Sequence, residues 1–309
     1  MNELMFSVCV ITYNQENYIS QTLDSILSQE HNYSYEIVIG DDCSTDGTRQ
    51  VIERYVQKYP SIIKPLYNEK NLGLIKNYFN VIKHCAGKYI MECAGDDWWL
   101  PGKVTTQIEF METHKDVGMC YGRAQVWNEK KGLLSEKTIG SKKETLKDLL
   151  FANDIPALTV CFRTSIIQNY MKEIQPETMS WLMEDYPLWL YISYNSRIKY
   201  IDKQISVYRI IEESVSHSKD INKMFLFSKS LEEIRSFYSK KYNVSYEKKS
   251  DEYLWFYIYV SELKKQYKKE FVILLRSSYK NIKRPSFSMK LYNICAFFPF
   301  FWKAITLFH

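Results

Sequence analysis

The chain has 309 residues, 46% apolar and 25% charged, which is ordinary globular composition with ample material for a core. The net charge of +5 is unevenly spread: residues 219–309 carry 18 Lys/Arg against 8 Asp/Glu, and the first 218 carry 23 against 28. No run reaches the roughly 18 apolar residues of a spanning helix, and the acidic first part argues against nucleic-acid binding as the main role.

Seven cysteines form no C-x-x-C pair and lie mostly in apolar runs, so they read as reduced thiols of a cytosolic protein. No basic segment with an apolar stretch and a small-residue cleavage site opens the chain, so no signal peptide is expected. The expected location is therefore cytoplasmic. The 25 tyrosines reflect genome base composition as readily as function.

"FSVCVITY" (Phe6–Tyr13) is a continuous apolar run of the kind a buried parallel strand shows. A helical pattern follows at Ile19, Leu23, Ile26 and Leu27. "YEIVIGDD" (Tyr35–Asp42) repeats the theme, "STDGT" supplies turn and cap chemistry, and a helix is expected over Val51–Tyr59. "IIKPLY" predicts a third strand and Ile75–Cys85 a third helix. "KYIMECAGDD" predicts a fourth strand, after which Pro101 starts a helix bearing Val104, Ile108 and Met111. This alternation predicts an α/β fold with a parallel, doubly wound sheet. Ligands of such sheets bind beyond the carboxyl ends of the strands, where Thr12–Asn14, Asp41–Asp42 and Asp96–Asp97 fall.

Five stretches in order carry a resemblance: "SVCVITYNQENYISQTLDSILSQ", "YEIVIGDDCSTDGT", "NLGLIKNYFNVIKHCAGKYI", "CAGDDWWLPGK" and "WLMEDYPLW". Together they resemble the family 2 glycosyltransferases over roughly residues 5 to 216. The resemblance implies the GT-A nucleotide-diphospho-sugar fold, a Rossmann-like and mostly parallel doubly wound sheet. It implies an inverting, metal-dependent enzyme that moves a hexosyl or acetylhexosaminyl group from a UDP-sugar to an acceptor hydroxyl in bacterial surface polysaccharide assembly. The acceptor would be a glycan or a lipid-linked glycan. The expected division is a catalytic domain at 1–218 and a basic, aromatic-rich helical region at 219–309.

Residue roles follow from the same resemblance. Thr12, Tyr13 and Asp42 would hold the nucleotide, Tyr13 as a flat ring for the base and Asp42 as an acceptor for uracil or ribose. For Asp42 a helix cap or Asx turn is the other reading; for Tyr13 it is packing. Asp97 would ligate Mn²⁺ or Mg²⁺ and Asp96 would contact ribose or sugar, although Gly95 shortens the family's Asp-x-Asp pattern. Capping of the next helix is the other reading for this pair. Trp98 and Trp99 could wall a sugar or sit in the core. "NLGLIKNYFN" could present backbone N–H groups to an anion, with Lys76 facing the donor pyrophosphate or simply solvated. In "WLMEDYPLWL" the base would be Asp185, with Glu184 binding acceptor. Arg209 could reach the diphosphate. Relatives carry His two residues after that Arg, where this chain has Ile211; His217 could replace it at the metal or stay in a solvated loop.

Ile221–Tyr238 and Asp251–Lys280 read as helices. The final "SFSMKLYNICAFFPFFWKAITLFH" could lie on an anionic membrane surface, tuck back onto the fold, or make a dimer contact. A sugar nucleotidyltransferase or a dinucleotide oxidoreductase would carry a glycine-rich loop after the first strand, and "TYNQENY" has none. A non-catalytic nucleotide-sugar binding module is the remaining alternative.

Overall fold

A computed structural model describes residues 4–211, 221–246, 259, 260, 263, 268–282, 287–298 and 302. The chain divides into two compact units, one of Met1–Ser214 with Glu233–Tyr246 and one of Val215–Glu232 with Glu247–His309.

The first unit grows from four apolar strands: β1 (Phe6–Thr12), β2 (Tyr35–Asp41), β3 (Ile63–Tyr67) and β4 (Tyr89–Ala94). They pair in parallel in the order β3-β2-β1-β4. Helices α1 (Ile19–Leu27), α2 (Thr48–Lys58) and α3 (Leu74–His84) make the crossovers. Alternate residues serve opposite faces. Val8, Val10, Ile37, Ile39, Met91 and Cys93 meet Leu23 and Ile26 of α1. On the other face α3 comes so close that a Cβ on Gly40 would fall 2.4 Å from Val81. Both faces are covered, which is why these strands read as unbroken apolar runs. The strand order reverses between β1 and β4, and a crevice at such a point is where open α/β sheets take ligands.

Beyond β4 the pairing becomes mixed. Antiparallel β8 (Cys161–Arg163) joins β4 to β6 (Val117–Asn128), and β6 runs parallel to β9 (Arg197–Ile210). The two-residue β5 (Trp98–Trp99) pairs antiparallel with β9, and β7 (Leu133–Ile139) folds back on β6 as a hairpin. The parallel arrangement expected from the sequence therefore describes β1 to β4, the part with helical crossovers. Shorter connections permit antiparallel neighbours. Helices α4 (Lys103–Thr113), α5 (Leu146–Phe151), α6 (Thr164–Ile174) and α7 (Asp185–Asn195) complete this part, followed by α8 (Ile221–Tyr242). From Glu233 on, α8 belongs to the first unit, where Arg235 Nε donates to Tyr186 Oη at 3.2 Å.

Besides the start of α8, the second unit has the helices Lys269–Asn281 and Phe287–Cys295 among its described residues. Leu275, Ile282, Met289, Tyr292, Ala296 and Trp302 bury one side of them, and Trp302 Nε1 donates to the Leu263 carbonyl at 3.0 Å. The helix expected over Asp251–Lys280 falls partly outside the described residues. Of the final segment, the described part packs through Met289 and Tyr292 and exposes Ile294, Phe297 and Phe298. Among the described residues no helix is long and apolar enough to cross a membrane.

Candidate active site

The carboxylate pair sits in the turn from β4 to β5, at the reversal of strand order. Gly95 opens the turn because nothing larger fits: a Cβ there would lie 2.5 Å from Gln15 Oε1 and 2.7 Å from Thr12 Oγ1. Thr22 Oγ1, from α1, donates toward the carbonyls of Gly95 (2.9 Å) and Asp97 (2.7 Å). On the other side Arg209 N donates to Asp97 Oδ1 at 2.8 Å and Arg209 Nε to the Asp96 carbonyl at 2.7 Å. Helix α4 starts at Gly102 in a left-handed conformation with no side-chain cap, so neither carboxylate caps it. Asp97 is buried and Asp96 partly exposed.

Burial raises the proton affinity of both groups, and the charge of Asp96 adds to the effect on Asp97. A hydrogen bond from its own backbone N–H, attraction to Arg209 and a hydrogen bond from Gln15 offset this only in part at Asp96. Two adjacent carboxylates, which offer oxygen as the only donor, suit a hard divalent cation. Among the described residues no three His, Cys, Asp or Glu side chains cluster as a complete metal cage. One or two carboxylates suffice where a ligand's phosphate oxygens complete the shell. His217 lies outside the described residues.

The nucleotide-side residues are distributed unevenly. Thr12 is buried and its Oγ1 donates to Gln15 Oε1 at 2.7 Å. Tyr13 beyond it is 47% exposed, a free ring at the end of β1. Asn14 follows at φ 53, its side-chain oxygen taking the Thr45 N–H at 2.8 Å, which locks the first loop to the second. Asp42 already accepts hydrogen bonds within the protein. Its oxygens are engaged by Asn68 Nδ2 (3.0 Å), Leu72 N (2.7 Å) and Gly73 N (2.9 Å). The same bonds engage the Leu72 and Gly73 N–H groups offered as an anion cradle, because the loop into α3 needs its donors satisfied internally. Lys76, on the first turn of α3, is exposed.

Trp98 and Trp99 part company, since successive strand residues point to opposite faces. Trp98 is partly exposed and meets Trp127 edge-on at 6.2 Å. Trp99 is 2% exposed, donates Nε1 to the Glu92 carbonyl at 3.2 Å and lies under the buried Lys103 ammonium at 4.8 Å. The expected acceptor wall therefore has Trp98 available and not Trp99, which is core. Arg209 is likewise engaged within the protein. It is 6% exposed, with its guanidinium bound to Glu129, Gln21 and the Asp96 carbonyl, and does not project into solvent toward a diphosphate.

Glu184 and Asp185 begin α7 without Glu184 capping it. Asp185 Oδ1 takes the Tyr186 N–H at 2.6 Å. Both side chains are partly buried and keep some solvent access. This desolvation raises the proton affinity of both, and the charge of Asp185 raises that of Glu184 further. Their field reaches β4, where the proton affinity of Glu92 is raised, chiefly by its own burial. Glu92 accepts a hydrogen bond from Tyr78 Oη. Gln15, Glu129 and Glu92 were missed by the sequence reading. Only Glu92 left a signal there, a lone carboxylate inside an apolar strand.

A description of glycosyl transferase family 2 matches residues 7–169. An uncharacterized protein of Mycobacterium tuberculosis is 34% identical over 121 residues, 39% of this chain, and the match spans only 35% of that relative's length. The Escherichia coli UDP-Glc:alpha-D-GlcNAc-diphosphoundecaprenol beta-1,3-glucosyltransferase WfgD is 28% identical over 221 residues, 71% of this chain and 82% of WfgD. A crystal structure of Staphylococcus aureus TarS 1-349 in complex with UDP superposes with TM-score 0.55 at 18% identity, covering 99% of this chain and 92% of that one, which shows a shared fold. With more than half of its length matched by the family, the chain belongs to glycosyl transferase family 2.

Proposed function

We propose that this protein is an inverting glycosyltransferase that moves a sugar from a UDP-sugar to a hydroxyl of a glycan or lipid-linked glycan in bacterial surface polysaccharide assembly. The observation that carries this reading is the Asp96–Asp97 turn: two adjacent carboxylates at the reversal of strand order, with one oxygen of Asp97 fixed by Arg209 N. Similarity to WfgD supports a UDP-linked donor and a polyprenyl-diphosphate-linked acceptor.

In this reading Asp97, through the oxygen not taken by Arg209 N, would hold Mn²⁺ or Mg²⁺, and Asp96 beside it would contact ribose or sugar. A bound cation would neutralise charge on the departing diphosphate. Tyr13 offers its exposed ring to the base, Lys76 its ammonium to phosphate, and Trp98 its indole to a sugar face. Asp185 takes the proton of the acceptor hydroxyl as its oxygen attacks the anomeric carbon opposite the leaving group, and Glu184 orients the acceptor. The exposed apolar residues of the second unit rest on the inner face of the cell membrane.

Thermal unfolding with a panel of nucleotide-sugars, each with and without Mn²⁺, tests the reading. UDP-sugars with Mn²⁺ should raise the midpoint, because a ligand bound only by the folded state stabilises it in proportion to the logarithm of saturation. Slow release of UDP without acceptor should accompany binding. Stabilisation by no nucleotide-sugar at all would overturn it.

A further inference from the structure

The β6–β7 hairpin reaches the carboxylate pair through one side chain. Glu129, just past the end of β6, accepts hydrogen bonds from Trp127 Nε1 (2.8 Å) and from Arg209 Nη1. Arg209 in turn is caged on every side. Nε donates to the Asp96 carbonyl and Nη2 to Gln21 Oε1, while the rings of Tyr18 and Trp98 each lie 4.7 Å from the guanidinium carbon. Its backbone N–H holds Asp97 Oδ1. One residue of β9 therefore binds both members of the pair and ties them to α1, β5 and the hairpin.

We infer that Arg209 is a positioning residue: it fixes the Asp96–Asp97 turn in the shape that takes a cation and diphosphate, and Glu129 keeps its fork in register. The inference rests on the proposed reading of that pair. A planar guanidinium suits the task because its donors are set in a rigid fork and its faces stack on aromatic rings, neither of which a lysine provides. Arg209 could instead be a ligand contact for which Glu129 is an internal stand-in, and that arrangement predicts the opposite sign for one variant.

The variants are Arg209→Met, Arg209→Lys, Glu129→Gln and the double variant Glu129→Gln/Arg209→Lys. Amide hydrogen exchange without ligand is one readout, and Mn²⁺ binding in the presence of UDP, followed by electron spin resonance, is the other. Arg209→Met and Arg209→Lys should both lose exchange protection over residues 95–99. They should also weaken UDP-dependent Mn²⁺ binding about 10–100-fold, as loss of outer-shell partners typically does. Glu129→Gln, at a half-exposed position that puts folding at little risk, should weaken it less. The double variant should bind no worse than Arg209→Lys alone, because both act through one contact. Tighter UDP-dependent Mn²⁺ binding by Glu129→Gln would overturn the inference, as would unchanged exchange in Arg209→Met. Should wild type bind no Mn²⁺ with UDP while Arg209→Met still loses protection, the clamp stands and the proposed function falls.

Discussion

Asp185 combines two properties that a base for a hydroxyl needs: partial solvent access and a proton affinity raised by desolvation. A positioned carboxylate typically contributes about 10²–10⁴-fold to such a step. Asp185→Asn should therefore abolish transfer while leaving UDP-sugar and Mn²⁺ affinity close to wild type, measured by turnover and by equilibrium binding. Since the base must be ionised, the acid limb of the rate profile should lie above the usual aspartate value of about 3.9. Glu184→Gln should leave that limb close to its wild-type position, because the charge of Asp185 raises Glu184 and not the reverse, with a milder loss of rate. Glu92 offers a second residue-level test. Its folded proton affinity is raised, so its contribution to stability is full below the unfolded value of about 4.3 and is lost as pH rises toward the folded value. Wild type should lose more stability than Glu92→Gln between pH 5 and pH 8, read from denaturation midpoints.

Strand β5 is only two residues long, yet it divides two roles between neighbouring tryptophans. Its backbone pairs with Ser206 and Val207 of β9, which fixes which indole faces inward. Trp99→Ala should cost about 3–5 kcal/mol of stability, the usual loss for a buried large aromatic, and lower the midpoint of chemical denaturation. Trp98→Ala should leave that midpoint much nearer wild type and raise KM for a sugar substrate. A comparable destabilisation by the two substitutions would remove Trp98 from the sugar wall. The same strand carries the turn that holds Asp96 and Asp97, so its pairing with β9 bears directly on the site.

Within the second unit, the helices Lys269–Asn281 and Phe287–Cys295 bury one face and expose Ile273, Leu274, Ile294, Phe297 and Phe298. Arg276 lies 3.8 Å from the Phe297 ring, and Lys269, Lys280 and Lys290 are exposed on the same two helices. Apolar residues among cations fit an anionic lipid surface. Cutting off residues 286–309 would also remove Met289, Tyr292, Ala296 and Trp302 from this unit's core, so surface substitutions make the sharper experiment. Replacing Ile294, Phe297 and Phe298 by Ser should lower sedimentation with vesicles containing phosphatidylserine, and salt should weaken binding of wild type. Unchanged sedimentation would return these residues to a packing role.

The sequence by itself determined the βαβ alternation, the four parallel strands and the placing of polar clusters at their carboxyl ends. These follow from local periodicity and from the continuous apolar runs that a sheet covered on both faces requires. It also marked Asp96–Asp97 and Glu184–Asp185, because adjacent carboxylates beside apolar runs stand out in one dimension. Only the tertiary structure decided what each polar group spends its bonds on. Asp42 is consumed by a loop thirty residues away, Trp99 is turned inward by the register of β5, and Arg209 is held by Glu129 from a hairpin eighty residues earlier. Such partners are set by chain packing at long sequence separation, and no local pattern of residue types encodes them.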